Sequence, residues 1–180
     1  MAKENRGLLV LGKGGFGVQL AELLADAYGP IAFLDDAAPG CAGRLADYQK
    51  PALRAAYPYA LVGIGNNRLR VAWLQKLAEA GYRVPVFCHP AAVVSPSARL
   101  GAGTVVLPFG YVGAGAVLGA GCLVNAGAIV DHNAVLGCGV HAAPGAILKA
   151  GAAAPDFAKV ESGEVLASPW QAAPNNNTTP

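Results

Sequence analysis

VSPSARLGAGTVVLPFGYVGAGAVLGAGCLVNAGAIVDHNAVLGCGVHAAPGAIL, residues 94–148, keeps an aliphatic side chain at every sixth position apart from one slip to Ala142. Because a helix repeats every 3.6 residues and a strand every 2, a strict period of six suits neither alone. The period is typical of a parallel β-helix of hexapeptide repeats, in which each repeat is a short strand followed by a tight corner. It continues through Ala154 and Val160 to Leu166.

The repeat also predicts which side chains fill the interior of the β-helix. We expect the sixth-position residues to point inward, and the small residues four places later to lie where the walls crowd together. The sixth-position residues are Val94, Leu100, Val106, Val112, Leu118, Val124, Val130, Leu136, Ala142 and Leu148. The small residues are Ala98, Thr104, Gly110, Ala116, Cys122, Ala128, Ala134 and Ala146.

Composition narrows the class of protein. The 180 residues are 54% hydrophobic with a mean hydropathy of +0.40, and residues 100–130 carry no charge. That stretch is long enough to span a membrane, but its glycines, Pro108 and the six-residue period argue against a spanning helix. The apolar run in MAKENRGLLVLG is too short for a signal peptide, so we expect a cytoplasmic protein without a membrane span.

Charge and cysteine usage exclude two further classes. The net charge is only +2 and the basic residues are scattered, so we expect no nucleic-acid partner. Four cysteines occur, at positions 41, 88, 122 and 138, without the spacing of a metal site. We therefore interpret them as free thiols.

Residues 1–88 alternate strand and helix patterns, which predicts an α/β, Rossmann-like half-domain with a parallel sheet. The predicted strands are 7–11, 31–34, 59–64 and 84–88, and the predicted helices are 15–28 and 66–81. Leu69, Trp73 and Leu77 are expected on the buried face of the second helix. His89-Pro90 marks a break, after which residues 89–168 form the β-helix domain. Residues 169–180 are low in apolar content and are predicted to be a disordered tail.

Two glycine-rich loops predict a binding crevice. Residues 12–17, GKGGFG, match G-x-G-x-x-G between a strand and a helix, where bare backbone lets a phosphate approach the helix N-terminus. Asp35 and Asp36 end the next strand, where carboxylates can accept hydrogen bonds from ribose or sugar hydroxyls. Residues 63–68, GIGNNR, follow another strand and would lie beside the first loop, although Asn66 is equally a helix cap. The alternative is a glycine turn that only packs helix against strand.

Two histidines are candidates for chemistry. His132 and His141 fall inside the repeat but not at its inward positions, so both can reach the outside of the β-helix, where a neighbouring subunit can pack. A histidine with a pKa near ~6.5 is the natural general base at neutral pH. The alternative is a pair of surface or interface histidines. A three-histidine zinc site fits poorly because the third histidine, His89, lies at the domain break, so no metal is expected.

With these motifs the chain resembles the family of sugar acyltransferases in which a small nucleotide-sugar-binding domain precedes a left-handed β-helix. Members N-acetylate UDP-4-amino-sugars on the route to bacillosamine, O-acetylate sialic acid or acylate perosamine. The matching segments are LGKGGFG, FLDD, VGIGNNRLR, FCHPAAVVSPSA and NAGAIVDHNAVLGCGVHAAPGAIL. The resemblance covers residues 7–148, and it implies the left hand of the β-helix.

The resemblance also implies roles for individual residues. Those expected to contact the nucleotide-sugar are Gly14, Gly15, Phe16, Asp35, Asp36 and Gly65. His132 is expected to be the general base, and Asn125 and His141 are expected to line the acyl-CoA site. Family members are homotrimers with acetyl-CoA between adjacent β-helices, which implies the same assembly here.

Two features depart from the family pattern. Bacillosamine-type members carry an acidic residue directly after the base, and here that position is Asn133. Asp131 precedes His132, but neighbouring residues on a strand point to opposite faces. Relatives usually continue for further coils past HAAPGAIL, whereas here only AGAAAPDFAKVESGEVLASPW precedes the tail. The adenine end of the cofactor would then lack the coils that usually bind it.

Three functional hypotheses follow. The leading one is a sugar N- or O-acetyltransferase that uses acetyl-CoA, without a metal, on a nucleotide-linked amino sugar for surface-glycan biosynthesis. The paired histidines and Asn125 favour it. The second is a non-catalytic trimer that binds a nucleotide-sugar but has lost CoA, which the short C-terminal region favours. The third is a nicotinamide dehydrogenase, which the missing second half of the sheet disfavours.

Overall fold

The computed structural model describes residues 7–167 and contains two kinds of β-structure. The first is a three-stranded parallel sheet in the order β2-β1-β3. Its strands are β1 (Leu8–Leu11), β2 (Ile31–Leu34) and β3 (Tyr59–Val62). The helices beside it are α1 (Gly15–Leu24), α2 (Pro51–Ala56) and α3 (Asn67–Glu79), with a 3₁₀ helix at Leu45–Gln49. The predicted tail, residues 169–180, lies outside the described residues.

Strand β1 is the buried centre of this sheet. Its four residues are all 0% exposed. Leu8 and Val10 pack on the same side as α1, whereas Leu9 and Leu11 pack on the side of α3. Because both faces are covered, the strand is a continuous apolar run, as is usual in parallel sheets.

The second kind of β-structure is a left-handed parallel β-helix, here called the solenoid. Between residues 87 and 166 it consists of two-residue strands in three parallel walls, with hydrogen-bonded partners 18 residues apart, as Leu123 and Val105 are. In chain order β4 to β17 are Phe87–Cys88, Val93–Val94, Arg99–Leu100, Val105–Val106, Tyr111–Val112, Val117–Leu118, Leu123–Val124, Ile129–Val130, Val135–Leu136, His141–Ala142, Ile147–Leu148, Ala153–Ala154, Lys159–Val160 and Val165–Leu166. Wall 1 contains β4, β7, β10, β13 and β16, wall 2 contains β5, β8, β11, β14 and β17, and wall 3 contains β6, β9, β12 and β15.

The predicted interior of the solenoid is confirmed. The sixth-position residues and most of the small residues that follow them form one hydrophobic cluster inside the three walls, and the remaining two, Thr104 and Gly110, are also buried. Ala142, the slip in the pattern, also points inward and is fully buried. The uncharged, apolar stretch of residues 100–130 therefore supplies the core of the solenoid. No helix within residues 7–167 has the length and apolar character to cross a bilayer.

The corners of the solenoid from Gly103 onward share one backbone conformation. A residue with positive φ recurs every six positions from Gly103 to Gly163. Glycine holds most of these positions because a Cβ is disfavoured in the left-handed region. Three are not glycine: Phe109 (φ 61°), Asn133 (φ 59°) and Phe157 (φ 63°). At these three corners the chain carries a side chain where the backbone alone favours glycine.

Helix α3 lies against the corner between walls 3 and 1. A Cβ built on Gly121 would lie 2.7 Å from Leu74, and one built on Gly139 would lie 2.7 Å from Val71. Both distances are too short for carbon atoms. The bare backbone of this corner therefore lets α3 dock the N-terminal sheet onto the solenoid.

The helices differ from expectation in two places. Helix α1 ends at Leu24 rather than near residue 28, because the backbone there changes to tighter turns in which the Ala25 and Ala27 amides donate to the carbonyls three residues earlier. The buried residues of α3 are Arg70, Leu74 and Leu77, whereas Leu69, expected to be buried, is 53% exposed. Arginine takes the buried place because its guanidinium donates to solenoid carbonyls, as described below.

The strand expected at 84–88 is also corrected. Only Phe87–Cys88 is extended, and it pairs with β7 of the solenoid rather than with the N-terminal sheet. Arg83 forms the bridge to Tyr59 at the edge of that sheet instead. The 3₁₀ helix and α2 were not anticipated, since neither carries a long apolar period. The division of the chain between residues 88 and 89 stays a prediction.

We expect an inward valine of the solenoid to matter far more for stability than an outward one. Val130 is 0% exposed and Val135, on the next strand, is 50% exposed. Val130→Ala should lower the free energy of unfolding by about 2 kcal/mol, from lost burial and the cavity left behind. Val135→Ala should change it by less than about 0.5 kcal/mol. Urea unfolding at one fixed protein concentration measures both, and equal losses would contradict the assigned interior.

Candidate functional site

The first glycine loop combines a structural and an open part. Gly17 packs so tightly on the Gly12 carbonyl that a Cβ on Gly17 would overlap it. A Cβ on Gly63 would likewise overlap the Cα of Gly17. Those glycines pack the two loops together, as the alternative interpretation of the motif requires. Gly14 and Gly15 are different: both are exposed, and a Cβ on either would meet nothing within 4 Å. The amino end of α1 is therefore open to a ligand.

The two aspartates after β2 do different things. Asp35 Oδ2 accepts a hydrogen bond from the Lys13 amide (2.8 Å), and its Oδ1 accepts from the Ala38 (2.8 Å) and Ala37 (2.9 Å) amides. These bonds, led by that from Lys13, hold the pKa of Asp35 below its usual value of 3.8. Asp36 is exposed and accepts only from the Leu45 amide (3.1 Å) among the recorded bonds. Asp35 therefore shapes the first loop, and Asp36 is the freer carboxylate for a hydroxyl group.

The second loop opens onto a groove shared with the solenoid. Asn66 caps α3, with its Oδ1 accepting from the Leu69 amide at 3.0 Å, as the sequence allowed. Gly65 beside it is exposed and has free space around its Cα. The groove, of about 410 Å³, is lined by residues 65–68 on one side and residues 155–159 on the other. Gly65 therefore lies on one side of a cleft whose other side is formed by the solenoid.

Two side chains hold the far wall of this groove in place. Asn67 Nδ2 donates to the carbonyls of Phe157 (3.0 Å) and Ala158 (3.1 Å). The guanidinium of Arg68 lies over the Phe157 ring at 4.5 Å from its centroid. The positive φ of Phe157 is what turns that ring toward α3.

Asn125 and His141 come together in the structure. Asn125 follows β10 at the corner between walls 1 and 2, His141 begins β13 in wall 1, and Asn125 Nδ2 lies 3.3 Å from His141 Nε2. Burial, together with the charges of Arg70 and Lys159, lowers the pKa of His141 from 6.5 to about 4. At neutral pH this imidazole is uncharged, so its Nε2 accepts from the Asn125 amide and its Nδ1 carries the proton.

His132 lies at a different corner of the solenoid, between walls 2 and 3, and is exposed. Its Nδ1 is 3.1 Å from the side-chain nitrogen of Asn133. Asp131 accepts from the backbone amide of His132 at 2.6 Å, so its carboxylate is engaged with the main chain. The left-handed backbone of Asn133 places its amide against the imidazole. Asn133 therefore occupies the position from which a neighbour can orient this histidine.

A single chain does not unite the predicted catalytic residues. The corner that carries His132 and the corner that carries Asn125 border the same wall, wall 2, from opposite sides. The outward side chains of this wall are apolar: Val93, Tyr111, Ile129, Ile147 and Val165. Val93 is 61% exposed, and Phe109 protrudes at the same corner as Asn125. Wall 2 is thus an apolar surface between the two halves of the predicted site.

The third histidine has a structural contact. His89 Nδ1 accepts from the backbone amide of Ala91 at 3.0 Å. Within residues 7–167 no group of three or more histidine, cysteine or acidic side chains is arranged to hold a metal ion.

Sequence reasoning missed Arg70. This residue of α3 is 2% exposed and donates to carbonyls of both the second loop and the solenoid. Burial lowers its pKa to about 10, so it stays charged at neutral pH. An arginine four residues after an N-cap asparagine looks like an ordinary surface residue, so no signal in the sequence identified it.

Known proteins share the architecture of this chain. Residues 7–77 match the family model of the PglD N-terminal domain. The chain is similar to the acetyltransferase domain of PglB from Neisseria gonorrhoeae FA1090, with 32% identity and a TM-score of 0.82 over 93% of this chain and 94% of that one. The same domain in complex with acetyl coenzyme A matches with 38% identity and a TM-score of 0.72 over 89% of this chain and 87% of that one. A variant of the GDP-perosamine N-acetyl transferase from Caulobacter crescentus, in complex with CoA and GDP-perosamine, matches with 27% identity and a TM-score of 0.75 over 91% and 89%.

We expect His141 to resist protonation. Its pKa of about 4 in the folded protein lies below the 6.5 of a free histidine, so the unfolded chain binds the proton first as the pH falls. His141 should therefore contribute stability that is complete above pH 6.5 and is lost as the pH falls toward 4. An NMR titration of the imidazole signals measures the pKa, and His141→Gln identifies the signal. A midpoint near 6.5 for that signal would contradict the burial argument.

Proposed function

The chain belongs to the family of sugar acetyltransferases that carry the PglD N-terminal domain, and on that premise we propose that it transfers the acetyl group of acetyl-CoA to the amine of a nucleotide-linked amino sugar. The observation that carries this proposal is the likeness, over most of the chain, to one structure that holds acetyl coenzyme A and another that holds CoA with GDP-perosamine. A role in surface-glycan biosynthesis and a cytoplasmic location stay predictions.

The acceptor would lie on the N-terminal half. The open amino end of α1 at Gly14 and Gly15 suits the diphosphate of a nucleotide, because the first amides of a helix have no partner within the helix and the space around these glycines is empty. Asp36 would accept hydroxyl hydrogens, and Phe16 and Gly65 would line the same crevice. The family resemblance implies UDP, and the perosamine relative carries GDP, so we propose a nucleoside diphosphate as the feature recognised.

The donor would lie beside Asn125 and His141. The short C-terminal region favoured a non-catalytic protein, but this chain covers 87% of the chain that binds acetyl coenzyme A. Most of that CoA-bound protein therefore has a counterpart here. This comparison favours the transferase over the non-catalytic alternative.

We further propose that the active unit is a homotrimer with wall 2 facing the threefold axis. Exposed apolar side chains on this wall favour burial against other copies. In a cyclic trimer of this kind, the His132 corner of one subunit meets the Asn125 corner of the next. The site would then be completed by two chains, with acetyl-CoA between them.

The chemistry proposed is direct transfer. His132 Nε2 removes a proton from the sugar amine as its nitrogen attacks the thioester carbonyl, so a C–N bond forms and the C–S bond breaks. The side-chain amide of Asn125, the Nδ1–H of neutral His141 or a backbone amide would donate to the developing oxyanion. The proton on His132 then passes to the departing thiolate. No covalent enzyme intermediate and no metal is needed.

As a base, His132 requires a free lone pair on Nε2, and its Nδ1 must therefore carry the proton. That proton needs an acceptor, and the side chain 3.1 Å away is the amide of Asn133. An asparagine amide presents either its nitrogen or its oxygen after a rotation of its end group. In the working enzyme the Asn133 oxygen would face Nδ1, which orients the base without the charge of an acidic neighbour.

We expect His132→Ala and His132→Gln to abolish acetyl transfer without disturbing assembly, because the side chain is exposed and lies outside the hydrophobic cores. Loss of a general base typically lowers kcat by about 10²–10⁴-fold. The assay is CoA release from acetyl-CoA with nucleotide-linked amino sugars as acceptors. Calorimetric titration with acetyl-CoA provides the control, since binding should persist. Unchanged turnover in either variant would rule out the assigned base.

Mixed trimers test whether two subunits share the site. Equal amounts of His132→Ala and His141→Ala chains, co-assembled at random, should recover about a quarter of wild-type activity, because about one junction in four pairs an intact His132 with an intact His141. The matched control mixes the double variant with wild type. A shared site again leaves about a quarter of the activity, whereas a site within one chain leaves about half. Mixed trimers no more active than the separate variants would refute sharing.

A further inference from the structure

Arg70 makes an unusual set of contacts for a buried cation. It is 2% exposed, and within residues 7–167 no carboxylate pairs with it. Every recorded hydrogen bond of its guanidinium goes to an uncharged oxygen. The acceptors are Gly121 O (2.8 Å from Nε), Gly139 O (3.0 Å from Nη2), Asn67 Oδ1 (2.9 Å from Nη2), Gly65 O (3.2 Å from Nη1) and Ile64 O (3.3 Å from Nη1).

Packing alone does not account for this arginine. Burying a guanidinium costs desolvation, and a hydrophobic residue of similar volume is often neutral or stabilising in its place. Leu74 and Leu77 on the same face of α3 already supply the apolar contact. What arginine adds is a rigid planar fork whose donors bind several acceptors in fixed directions. The fork holds three chain segments in one geometry.

Those segments belong to opposite sides of the proposed site. Gly65 belongs to the second loop, which would line the acceptor crevice, and it also forms one side of the groove shared with the solenoid. Gly121 lies two residues before β10, which Asn125 follows, and Gly139 lies two residues before His141, the first residue of β13. The guanidinium is therefore a direct link between the acceptor loop and both coils of the donor pair.

We propose that Arg70 is a positioning residue that fixes the Gly65 loop against the coils of Asn125 and His141, so that a bound nucleotide-sugar presents its amine to the thioester. This proposal rests on the proposed function. Each substrate is bound by its own half of the protein, so Arg70 acts on the alignment of the two substrates rather than on the affinity for either. A misalignment of about 1 Å can cost about 100-fold in rate.

The charge of Arg70 also acts on the donor pair. After burial, it is the next cause of the lowered pKa of His141, with Lys159 acting in the same direction and Glu161 in the opposite one. Loss of the charge at position 70 should therefore raise the pKa of His141. That shift reports on the link to the donor coils without any turnover.

The kinetic test compares Arg70→Lys and Arg70→Met with Arg54→Met as the matched control. Arg54 is an exposed arginine of α2 that donates to the Ala80 carbonyl, away from the solenoid. We expect kcat to fall about 100-fold in Arg70→Met and about tenfold in Arg70→Lys, whose ammonium lacks the fork. The affinities for acetyl-CoA and for UDP or GDP, measured by calorimetry, should change less than about threefold. Arg70 aligns the two substrates with each other and does not hold either of them in its own site. A wild-type kcat in Arg70→Lys, measured well below its unfolding temperature, would overturn the proposal.

A second experiment, by NMR, tests the structural link without measuring activity. In NMR spectra of Arg70→Lys, the Gly65 amide and the Asn125 side-chain amide should both shift relative to wild type, and Arg54→Met should leave both unchanged. In Arg70→Met the His141 pKa should rise. If wild type acetylates no nucleotide-sugar while these shifts appear, the proposed function fails and the structural link stands. Unshifted Gly65 and Asn125 signals in Arg70→Lys would overturn the link itself.

Discussion

From Gly103 onward the solenoid has a left-handed backbone residue at every sixth position, and that residue turns each two-residue strand into the next wall. The same constraint decides how the two halves of the protein meet. At the corner between walls 3 and 1, Gly121 and Gly139 have no side chains, and α3 approaches the backbone itself. Their carbonyls are then within reach of Arg70. A corner of residues with Cβ atoms would hold the helix too far away for these bonds.

The corners that break the glycine rule are informative for the same reason. A non-glycine residue in the left-handed region costs roughly 1–2 kcal/mol, so such a side chain calls for a compensating contact. Asn133 contacts His132, and the Phe157 ring makes a cation–π contact with Arg68. Among residues 7–167 no such contact is found for the Phe109 ring, which is 75% exposed at the edge of wall 2. Its strain is explained if wall 2 is covered by another copy, as in the proposed trimer.

The sequence predicts the local parts of this protein far better than their docking. The period of six residues identifies the inward side chains because each coil repeats the same contacts, and the strand ends of the N-terminal half follow from short apolar runs and glycine. Arg70 was missed because its partners lie 51 and 69 positions away. The pairing of Phe87 with Val105 was missed for a related reason: a strand of two residues carries no period of its own. The roles of His132, Asn125 and His141 came from the family resemblance, and periodicity alone placed only the two histidines, outside the core.

The geometry of a triangular solenoid explains why the proposed site needs more than one chain. Outward side chains at two corners of one prism point away from each other, so a base at one corner cannot serve a donor held at the other. Bringing His132 to Asn125 and His141 requires two prisms side by side, and the apolar wall between those corners is the surface that would hold them. Assembly and chemistry then depend on the same face. Arg70 adds the third alignment, because the acceptor half packs on wall 1 and on the remaining corner, and its loop must be fixed relative to both substrates' binding residues.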